Sequence, residues 1–223
     1  MHLHFHVQAL DEPSPGGSRL RHPFIGARAV ATLDVVSGGR VELGVGAGWM
    51  PEEWAAAGVE FSGRGRRLDE TLEVCRRLWE EPVVEHHGKL FAFPPVAFEP
   101  KPVQKRLPVH VGGESDAALR RAVRSGEGWI GMHHTPESVA SVLARLEELT
   151  KAAGAERRLT TTVAAPPGPL VDVAGWRASG VDRVLVAPWQ RSRDALEGMR
   201  RFAREHLAGR RLQGRPVRSR CTG

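Results

Sequence analysis

The residues best suited to bind a ligand lie in Leu107–Trp129, which reads LPVHVGGESDAALRRAVRSGEGW. The apolar run Pro108–Val111 predicts a buried strand of a parallel sheet. Gly112 and Gly113 then permit a sharp turn with no side chain above the backbone, and Ser115 is an N-cap type before a strong helix-forming segment. Together these features would present free N–H groups and the positive end of a helix dipole to an anion. The same pattern also fits a tight turn that binds nothing.

A second glycine-rich stretch, Thr32–Trp49, reads TLDVVSGGRVELGVGAGW. It predicts a helix over Ala27–Val36, a break at Ser-Gly-Gly, and a strand over Arg40–Val45. The strand runs into Gly46–Trp49, whose two glycines let a flat ligand lie close to the strand end. The spacing is not that of the dinucleotide-binding fingerprint, and no Gly-Lys-Ser/Thr of a P-loop follows.

Strand and helix patterns alternate along the rest of the chain, as in a parallel α/β sheet. Helical spacing predicts a helix over Arg64–Trp79, and its buried face would consist of Leu68, Leu72, Val74, Cys75, Leu78 and Trp79. A Pro- and Phe-rich stretch predicts a hairpin with strands Val83–His86 and Lys89–Phe93, and surface exposure for His86 and His87 at its turn.

Three further strands are predicted at Trp129–Met132, Leu159–Ala164 and Val181–Ala187. Further helices are predicted at Thr135–Leu149, Val173–Ala178 and Asp194–Leu207. Sequential strands joined by helical crossovers lie side by side. We therefore expect these three strands, together with Arg40–Val45 and Val109–Val111, to be parallel neighbours.

Three of the stretches, Ala31–Trp49, Arg64–Trp79 and Pro108–Trp129, together resemble the luciferase-like monooxygenase superfamily. Their order and spacing are most similar to its branch dependent on the deazaflavin coenzyme F420. The resemblance extends from about Arg21 to about His206, which is most of the chain.

The resemblance implies an α/β fold of the (β/α)8 TIM-barrel type. A complete barrel of this type typically needs about 250 residues, whereas this chain has 223. In the family, more barrel strands precede the point that Arg21–Phe24 resembles. We therefore expect a barrel that is incomplete at its N-terminus: an atypical segment at residues 1–20, the barrel domain at 21–207, and a basic, disordered tail at 208–223.

The function that the resemblance implies is hydride transfer between F420 and a small organic substrate, and no catalytic residue is identified. The residues expected to bind the cofactor are Gly46, Ala47, Gly48, Trp49, Gly112, Gly113, Glu114, Ser115 and Trp129. Glu114 stands where the family often has Asn, and a carboxylate beside a phosphate is unfavourable unless it points away. Two alternatives remain open: an FMN-dependent luciferase-like monooxygenase, and a truncated, catalytically silent family member.

Several charged residues near these stretches have more than one interpretation. The resemblance implies that Arg64, Arg66 and Arg67 bind the acidic tail of the cofactor or lock the neighbouring loop, but a solvated helix face is an equal alternative. His133 and His134 follow a predicted strand at the end where barrel enzymes place their ligand contacts.

Motifs for other chemistry are missing from the sequence, which has no G-x-S-x-G, C-x-x-C or H-E-x-x-H. Any reaction must therefore depend largely on a bound cofactor. His2, His4 and His6 alternate, and a strand would place them on one face. No further ligand stands near them in the sequence, so no metal site is predicted.

Composition narrows the partners and the compartment. The net charge is +6, but the arginines are scattered along helix faces, so no nucleic-acid partner is expected. No apolar run approaches the roughly 18 residues of a membrane span. The two cysteines, Cys75 and Cys221, suggest no disulfide framework. We expect a cytoplasmic protein acting on a small-molecule substrate, and the resemblance implies a homodimer.

Overall fold

A computed structural model describes residues 22–207. The predicted atypical N-terminal segment and basic tail lie outside these residues, as do His2, His4, His6 and Cys221. Between residues 22 and 207, no helix is both long enough and apolar enough to span a membrane.

Helices and strands alternate along the described chain. The helices are α1 (Pro23–Ser37), α2 (Pro51–Ala56), α3 (Arg64–Glu80), α4 (Asp116–Ser125), α5 (Val139–Ala152), α6 (Val173–Ala178) and α7 (Ala195–His206), the last preceded by a 3-10 turn at Ser192–Asp194. The strands are β1 (Leu43–Val45), β2 (Val83–His87), β3 (Ala92–Ala97), β4 (Val109–Gly112), β5 (Gly128–Met132), β6 (Thr160–Ala164) and β7 (Arg183–Leu185).

Five strands form one sheet in the order β1-β4-β5-β6-β7, and every neighbouring pair is parallel. The predicted set of parallel neighbours is therefore confirmed, although β1 and β7 are shorter than expected. The architecture is that of a TIM-type barrel wall, and within residues 22–207 the sheet stays open. β2 and β3 pair antiparallel as a separate hairpin, which lies between α3 and β4 in the chain.

The strand register divides the sheet into two faces, because alternate residues of a strand point to opposite sides. One face carries Leu43, Val45, Val109, Val111 and Val163, all buried in the main apolar core. Helix α3 contributes the predicted residues Leu68, Leu72, Val74, Cys75, Leu78 and Trp79 to that core, and all six are buried. Burial also raises the pKa of the Cys75 thiol to about 12, so this thiol is protonated at neutral pH.

The other face of the sheet holds a charged cluster that joins its two outer strands. Glu42, beside β1, accepts from Arg183 of β7 through both carboxylate oxygens, with Arg183 Nη2 3.0 Å from Oε1. His110 of β4 lies on the same carboxylate, with Nε2 3.0 Å from Oε2. A Cβ at Gly128 of β5 would overlap the ring of His110, so glycine is required there. We call Glu42, His110 and Arg183 the Glu42 clasp.

A second carboxylate organises the amino-terminal ends of the strands. Glu127 accepts at 2.8 Å from the backbone N–H of Val109, from Arg76 Nη2 and from Arg106 Nε, and Arg157 lies 3.5 Å away. Burial alone would raise the pKa of Glu127, but these hydrogen bonds outweigh burial and leave the pKa below its ordinary value of 4.5. The ionised form therefore stabilises the fold.

One of the two histidines predicted to be exposed at the hairpin turn is buried. His87 is exposed as expected, but His86 is buried, stacks on Phe93 and lies 3.3 Å from Glu70 of α3. Glu70 also accepts from the backbone N–H of Phe91 at 2.8 Å. The Glu70 carboxylate thus holds the hairpin turn against α3. The local turn pattern does not reveal this contact, because Glu70 is distant in the sequence.

Helix α5 begins at Val139 rather than at the predicted Thr135. Thr135 and Ser138 bond each other reciprocally: Thr135 N donates to Ser138 Oγ at 2.9 Å, and Ser138 N donates to Thr135 Oγ1 at 3.3 Å. This is the capping arrangement that the Thr-Pro start indicates. The capping turn occupies the residues that the prediction assigned to the first turn of the helix.

Replacing Glu42 with Gln tests the clasp. We expect the free energy of unfolding to fall by about 1–3 kcal/mol, because the hydrogen bonds from a buried imidazole and a guanidinium lose their charged acceptor. Urea unfolding measures the change. Glu147→Gln is the matched control, since Glu147 pairs with Lys151 on the exposed surface of α5 and its loss should matter far less. Equal effects of the two substitutions would contradict the clasp's role.

The lowered pKa of Glu127 predicts a pH dependence of stability. A carboxyl whose folded pKa lies below its unfolded pKa stabilises the fold above the unfolded value and loses that contribution as pH falls through the folded value. The stability difference between the wild type and Glu127→Gln should therefore be full above about pH 5 and shrink as pH falls below 4.5. Urea unfolding between pH 3 and 7 (roughly) measures it, with exposed Glu52→Gln as control. A constant difference across this range would disprove the assignment.

Candidate functional site

Three loops meet at the carboxyl edge of the sheet. The loop Gly46–Trp49 follows β1, the turn Gly112–Ser115 follows β4, and Met132–His134 ends β5. Because β1, β4 and β5 are adjacent and parallel, their carboxyl ends lie together, as in the ligand sites of barrel enzymes. The structure therefore brings together two stretches that the sequence singled out separately.

The turn after β4 contains two consecutive glycines, which add no side chains of their own. A Cβ at Gly112 would lie 3.4 Å from the Val45 carbonyl oxygen, and Gly113 has a φ of +122°, which favours glycine. Ser115 caps α4 by accepting from Ala118 N at 3.3 Å. The first N–H groups of a helix have no partner within it, so the start of α4 directs donors into this turn.

Trp129 supports the turn from the side of the sheet that faces the helices. Its side chain is fully buried, and Nε1 donates to the carbonyl oxygen of Gly113 at 3.0 Å. The indole occupies the space that a side chain at Gly131 would need. Trp129 therefore contacts the turn through this hydrogen bond, which stabilises the conformation of Gly113.

Glu114 reaches from the turn to the end of the neighbouring strand. Its Oε1 accepts from the backbone N–H of Met132 at 3.1 Å, and its Oε2 lies 3.0 Å from Nε2 of His134. His134 in turn places Nδ1 3.3 Å from Ser138 Oγ, and its ring lies 5.9 Å from that of Trp129. The sequence indicated Glu114 and His134 separately but not their pairing. Only the adjacency of the two strand ends could have suggested that pairing.

The loop after β1 is held by one arginine of α3. Arg64 Nε donates to the carbonyl oxygen of Gly48 at 3.1 Å, and the guanidinium lies 4.0 Å from the centre of the Phe61 ring. Gly48 has a φ of +80°, while space is open where a side chain at Gly46 would stand. Of the alternatives for Arg64, locking the loop is the one that its contacts match.

Two further residues at this edge are exposed. Trp49 is 73% exposed at the end of the first loop. His133 adopts a φ of +60°, which is uncommon for a residue with a side chain, and its N–H donates to Ala164 O at 2.8 Å. Strained backbone of this kind clusters at ligand-binding sites. Both residues lie just beyond the carboxyl end of a strand and are exposed.

The arrangement is chemically suited to an anionic group joined to a flat one. Backbone donors and glycines can bind a phosphate at Gly112–Ser115, and the open loop at Gly46–Trp49 leaves space beside it. Within residues 22–207, no group of three or more His, Cys, Asp or Glu side chains is positioned to hold a metal ion.

Comparison with known proteins gives one consistent family. The sequence profile of luciferase-like monooxygenases matches residues 18–172. An uncharacterized protein of Mycobacterium tuberculosis is 36% identical over 168 residues, covering 75% of this chain and 58% of that protein. The chain thus spans less than two thirds of that relative's length.

Two characterised proteins differ in their cofactor. The FMNH2-dependent dimethylsulfone monooxygenase of Pseudomonas putida is 29% identical over 137 residues, covering 60% of this chain and 37% of that protein. The solved F420-dependent tetrahydromethanopterin reductase of Methanopyrus kandleri is 28% identical, with a TM-score of 0.55 and coverage of 65% of this chain and 46% of that one. Deazaflavin and flavin cofactors both occur among the relatives.

Replacing Arg64 with Ala tests whether this residue locks the loop after β1. We expect the amides of Gly46–Trp49 to exchange hydrogen about tenfold faster, since a hydrogen bond and a cation–π contact are lost. Hydrogen exchange measured by mass spectrometry reports the change. Arg66→Ala, on the same turn of α3, is the control. Unchanged exchange in Arg64→Ala would mean that the loop is held by other contacts.

Proposed function

The chain belongs to the luciferase-like monooxygenase family, and on that premise we propose that it is an F420-dependent oxidoreductase. In this proposal it transfers a hydride between the deazaflavin and a small organic substrate. The observation that carries the proposal is the Gly112-Gly113 turn, which joins a parallel strand to a helix N-terminus beside the open Gly46–Trp49 loop.

The turn fits the phosphate of such a cofactor for three reasons. The two glycines leave the backbone uncovered, the start of α4 supplies N–H donors, and the helix dipole favours a negative charge there. The Glu114 carboxylate is bonded to Met132 N and His134 Nε2 rather than to the amides of the turn. These features support binding of an anionic group at Gly112–Ser115.

The ring system would then extend from the turn toward the loop after β1. Gly46, Ala47 and Gly48 offer a surface of small residues, Trp49 stands exposed at the loop end, and Arg64 keeps the loop in place. When bound, F420 supplies the carbon that accepts or donates the hydride. The chain's own residues bind and orient the cofactor, and positioning of this kind accounts for much of the rate of such reactions.

The proposed cofactor-binding set is therefore the one that the sequence indicates. It consists of Gly46, Ala47, Gly48, Trp49, Gly112, Gly113, Glu114, Ser115 and Trp129. Within this set, Trp129 acts through its hydrogen bond to Gly113, because its side chain is fully buried. We assign no catalytic residue.

An FMN-dependent monooxygenase is the second candidate. It is favoured by the similarity to the FMNH2-dependent enzyme of Pseudomonas putida, and the same turn could hold the phosphate of FMN. We further propose a small-molecule substrate, a homodimer whose partner covers open sheet edges, and a cytoplasmic location, consistent with the buried free thiol of Cys75.

Turnover assays with the purified chain separate the candidates. One assay follows the absorbance of F420 with a panel of alcohols, aldehydes and enones. A second follows oxygen consumption with reduced FMN. Hydride transfer with F420 supports the proposal, oxygen-dependent turnover with FMN supports the second candidate, and turnover with neither favours a catalytically silent protein.

Replacing Gly113 with Val tests the turn as the phosphate site. We expect cofactor affinity to fall at least about a hundredfold, since φ is unfavourable for Val and a Cβ would lie 3.0 Å from that of Ala118. Fluorescence titration of F420 and FMN measures it. Gly154→Val is the matched control, because Gly154 also has a positive φ but lies after α5, at the opposite end of the sheet. Equal affinities in the wild type and Gly113→Val would show that the glycines only form a turn.

A further inference from the structure

Glu114 places a carboxylate at the rim of the turn, where two residues at the end of β5 hold it. Glu114 lies between Gly113 and the helix cap Ser115, and both of its oxygens are engaged, with Met132 N at 3.1 Å and His134 Nε2 at 3.0 Å. The side chain is 42% exposed, whereas that of His134 is 14% exposed. The carboxylate is therefore partly exposed to solvent, while the imidazole that holds it is largely buried.

His134 keeps this carboxylate in place. Its Nδ1 lies 3.3 Å from Ser138 Oγ, in the capping turn of α5, and its ring packs beside Trp129. A Cβ at Gly131 would stand 3.0 Å from Cδ2 of His134, so the absence of a side chain there leaves room for the ring. Contacts on several sides fix the imidazole, and the imidazole fixes Glu114.

A fixed carboxylate affects different phosphates unequally. A phosphomonoester carries a charge of about −1.5 to −2 at neutral pH, because its second pKa is near 6, whereas a phosphodiester carries only one charge. Repulsion by Glu114 rises in proportion to the ligand's charge. Any anion bound at Gly112–Ser115 is therefore weakened by Glu114, and the monoester is weakened more than the diester.

We propose that Glu114, positioned by His134 and the Met132 amide, is a specificity-determining residue that selects phosphodiester cofactors over phosphomonoester cofactors. This inference rests on the proposed function, since it requires the turn to bind a phosphate. F420 carries its phosphate as a diester and FMN carries it as a monoester. The residue thus biases a turn that accepts either class toward the deazaflavin.

The test compares two flavins that share one ring system: FMN and its phosphate methyl ester, riboflavin 5′-(methyl phosphate). Quenching of flavin fluorescence gives the affinity of each for the wild type and for Glu114→Gln. In the variant we expect affinity for the methyl ester to rise about threefold and affinity for FMN to rise about five- to tenfold. The ratio of the two affinities is the quantity that reports selection.

Glu137→Gln is the matched control. Glu137 is an exposed carboxylate in the loop after β5 and bonds Thr135 Oγ1 at 2.7 Å, so this substitution removes the same charge outside the turn. It should leave the ratio unchanged. Thermal unfolding of each variant verifies its fold, and Gln at position 114 keeps an oxygen that can accept from Met132 N.

A measurement on the wild type alone provides a second test. Because Glu114 is partly exposed, salt screens its repulsion, so the preference for the methyl ester over FMN should narrow between low and high ionic strength. An unchanged ratio in Glu114→Gln, or a salt-independent ratio in the wild type, would overturn the inference. Failure of both flavins and of F420 to bind any variant would instead overturn the proposed function.

Discussion

One carboxylate, that of Glu42, joins the two outer strands of the sheet. Its oxygens are bonded by Arg183 of β7 and His110 of β4, on the face of the sheet opposite to the main apolar core. An open parallel sheet has two edge strands, each with unpaired backbone groups. The Glu42 clasp thus links β1 to β7 at their amino-terminal ends, although three strands lie between them in the sheet.

The two ends of this sheet differ in the groups that they present. At the amino-terminal end, Glu127 gathers three arginines and the Val109 amide. At the carboxyl end, the Gly46–Trp49 loop and the Gly112–Ser115 turn present mainly glycines and N–H groups. Barrel proteins commonly divide stability and function between their two ends in this way. Substitutions at the first end should therefore affect folding, and those at the second should affect binding.

Whether a feature of the fold or the site could be predicted from the sequence depends on how far apart in the sequence the contacting residues are. The buried face of α3 and the cap at Ser115 follow from local periodicity and residue type, and both were predictable. The burial of His86 depends on Glu70, sixteen residues away, and the Glu42 clasp spans 141 residues. No local pattern signals such pairs. The pairing of Glu114 with His134 was predictable only in part. The two parallel neighbouring strands were predicted, but the direction of the Glu114 side chain was not.

Backbone groups and side chains have different parts in the proposed recognition of the cofactor. A phosphate site made of amides, glycines and a helix N-terminus recognises negative charge and closely approaching atoms, and these features are common to flavin and deazaflavin phosphates. The glycines must remain for the turn to form, so they have little capacity to discriminate. Discrimination falls to the side chains on its rim, where a change of one residue leaves the backbone intact. Glu114 is such a residue, and its partner His134 comes from a different strand. In the proposed function, the choice of cofactor therefore depends on a contact between two loops, whereas the ability to bind one depends on a single turn.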